Sequence, residues 1–96
     1  MTNREIPFRP RLEGSFRVRF YEAASKIEED NSVVSIEEIA NREIEWVENE
    51  CTFNLTQRKK YRAIWLLFRY LIRSSWRACY RDGVVLMRLP SLAGSD

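Results

Sequence analysis

The apolar positions of this chain change their period along its length. From Ser15 to Asp30, Phe16, Phe20, Ala23, Ala24 and Ile27 recur at helical steps of three and four. Phe16, Val18 and Phe20 also alternate with Arg17 and Arg19, as a strand would. The helical pattern runs longer, so it predicts a helix. Asp30-Asn31-Ser32 reads as a turn and Val33-Val34 as a short extended piece. Ser35-Ile36-Glu37-Glu38 has the form of a capping box: the Ser hydroxyl serves the third helical amide and Glu38 reaches back. The helix it opens runs to about Asn49, with Ile36, Ile39, Ala40, Ile44, Trp46 and Val47 on its apolar face. Glu43 and Glu50 fall within that arc, so each must find a cation or reach the rim.

Cys51 to Phe53 is a connector, and Asn54 is the expected N-cap of a third helix over Leu55 to Ser74, with Gln57 at its third position. Tyr61, Ile64, Trp65, Leu67, Phe68, Leu71 and Ile72 make its wide apolar arc. After Ser74-Ser75 the period falls to two. Trp76 to Arg81 and Val84 to Leu89 alternate on either side of Asp82-Gly83, a strong hairpin signal. A two-residue turn sets Tyr80 beside Val85 and Ala78 beside Met87. It gathers Trp76, Ala78, Tyr80, Val85, Met87 and Leu89 on one face. If helix continued through Arg81 instead, the hairpin would disappear.

Residues 1–14 read as a basic arm held open by Pro7 and Pro10, a partly ordered terminus unless Phe8 and Leu12 pin it to the body. Residues 15–90 make a single helical domain with a C-terminal hairpin, and residues 91–96 a tail. The fold class is mainly α: a three-helix core closed by a short C-terminal β-hairpin.

Composition narrows the chemistry. With 45% hydrophobic and 31% charged residues, 96 residues make one globular domain or a piece of one. There is no His, the commonest general base and metal ligand. Cys51 and Cys79 stand 28 residues apart, which is no zinc motif; two scattered thiols without a signal peptide suit a reduced, cytoplasmic chain. The carboxylate clusters at Glu28-Glu29-Asp30, Glu37-Glu38 and Glu43/Glu45 read as solvated faces, and no Gly-rich phosphate loop is present. We therefore expect no enzyme, no cofactor and no metal. The longest apolar run is Ala63 to Phe68, far short of the roughly 20 residues a membrane span needs.

Charge changes the picture most. The net charge of +2 hides a strong division. Ten Asp and Glu lie between Tyr21 and Gln57 against only Lys26 and Arg42, whereas Leu55 to Ser74 holds no acidic residue. Arg58, Arg62, Arg69 and Arg73 are spaced by four, seven and four. At about 100° per residue they share a wedge of roughly 60° on the third helix. Arg is suited to phosphate because its planar fork donates in pairs.

The order helix, short extended piece, helix, helix and hairpin resembles a winged helix-turn-helix domain. In that likeness Ser35-Ile36-Glu37-Glu38-Ile39-Ala40 starts the second helix. Leu55-Thr56-Gln57-Arg58-Lys59-Lys60-Tyr61-Arg62 opens the recognition helix, and Trp76 to Leu89 forms the wing. The resemblance implies a non-catalytic nucleic-acid-binding domain. Arg58, Lys59, Arg62, Arg69 and Arg73 would contact DNA or RNA phosphates, with Arg77, Arg81 and Arg88 extending the footprint along the hairpin.

The same charge division supports a rival expectation, a protein-interaction or self-association domain built on charge-complementary helices. Glu43 and Glu50 share a seven-residue spacing with Arg62 and Arg69, so the two helices could pair within one chain or in a homodimer. Trp46, Trp65 and Trp76 are the anchors if they face a partner, and core residues if they do not.

Overall fold

The computed structural model describes residues 5–27 and 33–89. Three helices, α1 (Gly14–Ala24), α2 (Val33–Asn49) and α3 (Leu55–Arg73), pack with three strands, β1 (Glu5–Phe8), β2 (Arg77–Arg81) and β3 (Val84–Arg88). The mainly α class and the C-terminal hairpin are as the sequence implies. The layout, three helices and a small antiparallel sheet, is compatible with a winged helix.

In α1 the helical period wins over alternation: Phe16 and Phe20 are buried while Val18 is 59% exposed. The helix is shorter than its pattern, ending at Ala24 rather than Asp30. Ser25 donates its hydroxyl to the Glu22 carbonyl, and Ile27 N–H turns back to Ala24. The Ile27 carbonyl then accepts from Tyr80 N–H at 3.1 Å. That bond ties the end of the helix to β2 and takes an acceptor that further helix would need. In α2 the start moves the other way. Helix begins at Val33, so Val33-Val34 is not extended and Ser35 lies inside the first turn rather than at the cap. The expected turn at Asp30-Asn31-Ser32 and the tail beyond Leu89 lie outside the described residues.

Both ends of α3 follow local chemistry. Asn54 sits in the left-handed region at φ 56° and its side chain accepts from Gln57 N–H at 3.1 Å. At the other end Ser75 is left-handed (φ 75°) and Trp76 N–H reaches the Leu71 carbonyl at 3.0 Å, a Schellman-type closure. Asp82 and Gly83 both have positive φ, as a type I′ hairpin turn demands. The register sets Tyr80 opposite Val85 and Ala78 opposite Met87, as expected.

The arm departs most from expectation. Glu5–Phe8 is a strand, antiparallel to β3, which makes β3 the centre of a sheet ordered β1-β3-β2. Pro7 is tolerated because β1 is an edge. Phe8 and Leu12 do pin the segment. Phe8 lies 6.1 Å from Phe20 and 5.7 Å from Phe68, ring to ring, and Leu12 is buried. The core is aromatic: Phe16, Phe20, Tyr61, Trp65 and Phe68 are its largest fully buried side chains. Trp65 is therefore a core residue, and Trp46 and Trp76 pack against the core half-buried.

Candidate functional site

The arginine row lies where its spacing places it, along one edge of α3, and that edge faces α2. Arg73 grips Glu37 with both arms of its fork, Nε to Oε2 at 2.8 Å and Nη2 to Oε1 at 3.1 Å. Arg69 Nη1 donates to Asn41 Oδ1 at 2.9 Å, and Arg62 Nε donates to Glu48 Oε2. Arg58 Nε reaches the Val47 carbonyl at 3.5 Å. Going up α2 from Glu37 to Asn41 to Glu48 takes steps of four and seven, and coming down α3 from Arg73 to Arg69 to Arg62 takes the same steps. The two helices are thus antiparallel and zipped in register. Arg73 holds the Glu37 carboxyl below its ordinary range, chiefly through their hydrogen bond.

These are not the pairs expected from the sequence. Glu50 is exposed at the rim, and Glu43 points the other way, into the core. Glu43 is only 5% exposed and is held by Arg19, Nε to Oε1 at 2.6 Å and Nη2 to Oε2 at 3.3 Å. The Tyr61 hydroxyl donates to the same Oε1 at 2.7 Å. Burial first, and then this bond, push the Tyr61 phenol well above its usual range, so it stays a donor. Arg19 also lies over the Trp46 ring, 4.0 Å from its centroid. The cluster is structural. It satisfies a buried carboxylate, and it opens onto no cavity among those described.

On the outer face of the sheet a second cluster forms around Glu5. Arg81 and Arg88 each place Nη2 3.2 Å from Glu5 Oε2. The bond from Arg88 lowers the Glu5 carboxyl most; desolvation opposes it, and the charge of Arg81 helps to hold the group below its ordinary range. Arg81 also lies over Cys79, Nη2 to Sγ 3.6 Å. Cys79 and Cys51 are both free and buried.

The eight cations expected to bind phosphate therefore divide. Arg62 and Arg73 meet carboxylates of α2, Arg58 and Arg69 meet neutral oxygens, and Arg81 and Arg88 meet Glu5. Lys59 and Arg77 are exposed and their side chains carry no hydrogen bond or ion pair among the described residues; Lys59 lies near the start of α3 and Arg77 opens β2, beyond its end. The row keeps some exposure, at Arg62 and Arg73 above all, but α3 also offers solvent a second face beside it. Its outer face runs through Leu55, Lys59, Lys60, Ala63, Leu67 and Tyr70, with Leu66 half-buried among them. Leu55 is 60% exposed, Leu67 44% and Tyr70 66%. The sequence placed Leu67 in the apolar arc and left Tyr70 beside the arginines. The cue that separates this face from the core is its angle, about 180° from Tyr61 and Trp65.

No family model, curated protein or solved structure matches this chain. Among the described residues, no group of three or more metal-binding side chains is assembled, and no helix is long and apolar enough to cross a membrane.

Proposed function

We propose that this chain is a non-catalytic protein-interaction module that presents the outer face of α3. One observation carries the reading: the charged edge of α3 is engaged with α2, while an adjoining face with three large exposed apolar side chains has nothing packed on it among the described residues. Contiguous exposed apolar surface is costly to leave wet and commonly marks a binding site. Charge complementarity between α2 and α3 then works inside the chain, fixing the register of the helix pair that displays the face.

A second reading, nucleic-acid binding in the manner of a winged helix, draws on a set of cations that only partly overlaps the one first expected. The Glu13 N–H donates to Gln57 Oε1 at 3.0 Å, which brings the start of α1 to the first turn of α3. Arg11, Lys59 and Lys60, all exposed, thereby share one end of the molecule. Surface ion pairs are worth at most about 1 kcal/mol, so phosphate could also compete for Arg62 and Arg73.

Fluorescence anisotropy with short labelled DNA and RNA across a salt series separates the two. The interaction reading expects no binding beyond a weak, sequence-independent background. Micromolar or tighter binding that falls steeply with salt, and is lost in Lys59→Glu with Lys60→Glu, would sink it in favour of phosphate contact.

A further inference from the structure

We infer that the occupant of the α3 face is an acidic amphipathic helix of a partner protein; this rests on the interaction reading. Ala63, Leu66, Leu67 and Tyr70 stand at positions i, i+3, i+4 and i+7, the seam one helix offers another. From Lys59 to Tyr70 the face is about 16 Å long at 1.5 Å per residue, room for three turns of a partner. Its surroundings set the partner's charge. α3 contains no carboxylate, and Arg58 donates only to a neutral carbonyl; Arg69 donates to Asn41, although its charge also acts on Glu37. Lys59 and Lys60 stand exposed toward the N-terminal end of α3 and add two further positive charges.

A second copy of the chain suits the face less well. Stacking α3 antiparallel on its own copy about Leu66 and Leu67 would set Lys59 and Lys60 near Arg73 of that copy, like against like. The exposed face of α2 is mainly polar: a groove along it is lined by Asn41, Arg42, Glu45, Glu48 and Asn49 with Ile44 the one apolar member, and the exposed Val34 stands apart at the start of the helix, so it offers the leucines little apolar counterpart. An acidic helix with its own apolar stripe meets both demands.

The test uses the full chain and a labelled designed peptide of about four helical turns, with Leu along one stripe and Glu on its flanks. A control peptide carries Gln in place of every Glu. The acidic peptide should bind at least about tenfold more tightly than the Gln peptide, the difference shrinking with salt. Lys59→Glu with Lys60→Glu should weaken the acidic peptide by about tenfold or more and leave the Gln peptide unchanged. Leu67→Asp with Tyr70→Ala should weaken both, with the helical circular dichroism of the chain intact.

If the two peptides bind equally and Leu67→Asp with Tyr70→Ala abolishes both, the acidic partner is wrong and the docking face stands. If neither peptide binds while labelled oligonucleotide does, the interaction reading falls as well. If neither peptide nor oligonucleotide binds, the acidic partner is likewise overturned. Sedimentation showing a dimer that Tyr70→Ala dissociates would overturn the inference in favour of a second copy.

Discussion

Glu43 sits on the buried side of α2, where an uncompensated carboxylate would be costly, and two donors from different helices converge on it. Removing the acceptor leaves the Tyr61 hydroxyl in the core with no bond and Arg19 without its partner. Glu43→Ala should therefore destabilise the chain by about 2–3 kcal/mol, below the roughly 3–5 kcal/mol of a fully buried broken pair because Arg19 is partly exposed. Tyr61→Phe should cost only about 1 kcal/mol, since Arg19 still satisfies the carboxylate. Urea titration of both variants checks the order; equal losses would mean that Arg19 contributes nothing. Glu37 and Glu5 make a different prediction. Both carboxyls sit below the ordinary value of 4.5 in the folded state. Groups lowered by folding contribute stability above the unfolded value, and that contribution is lost as pH falls through the folded one. Urea midpoints should fall as pH drops below 4.5, and Arg73→Gln should flatten that acid limb.

At the scale of elements, the chain is punctuated by residues that tolerate left-handed backbone. Asn54→Ala removes a side-chain cap and puts a Cβ residue without local hydrogen bonding at φ 56°, so it should cost about 1–2 kcal/mol. Asn54→Gly should cost only a few tenths, because glycine accepts that φ. Thermal melts distinguish them; equal losses would show that the hydrogen bond alone matters. Strand β1 offers another test. Its backbone pairing with β3 is short, so its docking depends on Phe8 entering the aromatic core. Phe8→Ala should destabilise by about 2–3 kcal/mol, discounted from a fully buried Phe, and should raise hydrogen exchange on the exposed edge of β3.

At the scale of the whole molecule, α2 and α3 form one unit whose seam is ionic and whose outer surface is divided. The seam predicts a charge swap. Arg62→Glu alone sets like charges together at Glu48 and should cost about 1 kcal/mol, while Glu48→Arg in the same chain should recover most of it. A double-mutant cycle with no recovery would show that the pair is not formed in solution. Lys59→Glu with Lys60→Glu, touching nothing described, should leave stability within about 0.5 kcal/mol.

Much of this could be read along the chain because it depends on neighbours in sequence. The period of Phe16, Phe20 and Ala23, the Asn54 cap, the stop at Ser74 and Ser75, and the Asp82-Gly83 turn with its register are all local choices, and each stands as expected. The arginine row was legible too, as a stripe; its partners were not. The matching steps of Glu37, Asn41 and Glu48 against Arg73, Arg69 and Arg62 are present in the sequence, but so are those of Glu43 and Glu50 against Arg62 and Arg69. Glu43 already falls in the apolar arc, but only the packing of α2 hands it to Arg19 and Tyr61 and brings Glu48 to the seam. The same holds for β1, whose four residues around Pro7 carry no periodic signal and become a strand because β3 offers an open edge. It holds for the end of α1, cut short where Ile27 gives its carbonyl to β2. Sequence by itself determined the helices, the hairpin and the core, since periodicity and turn chemistry act within a few residues. Tertiary structure decided which charges are engaged and which face of α3 is left for a partner, since those depend on contacts between residues far apart in the chain.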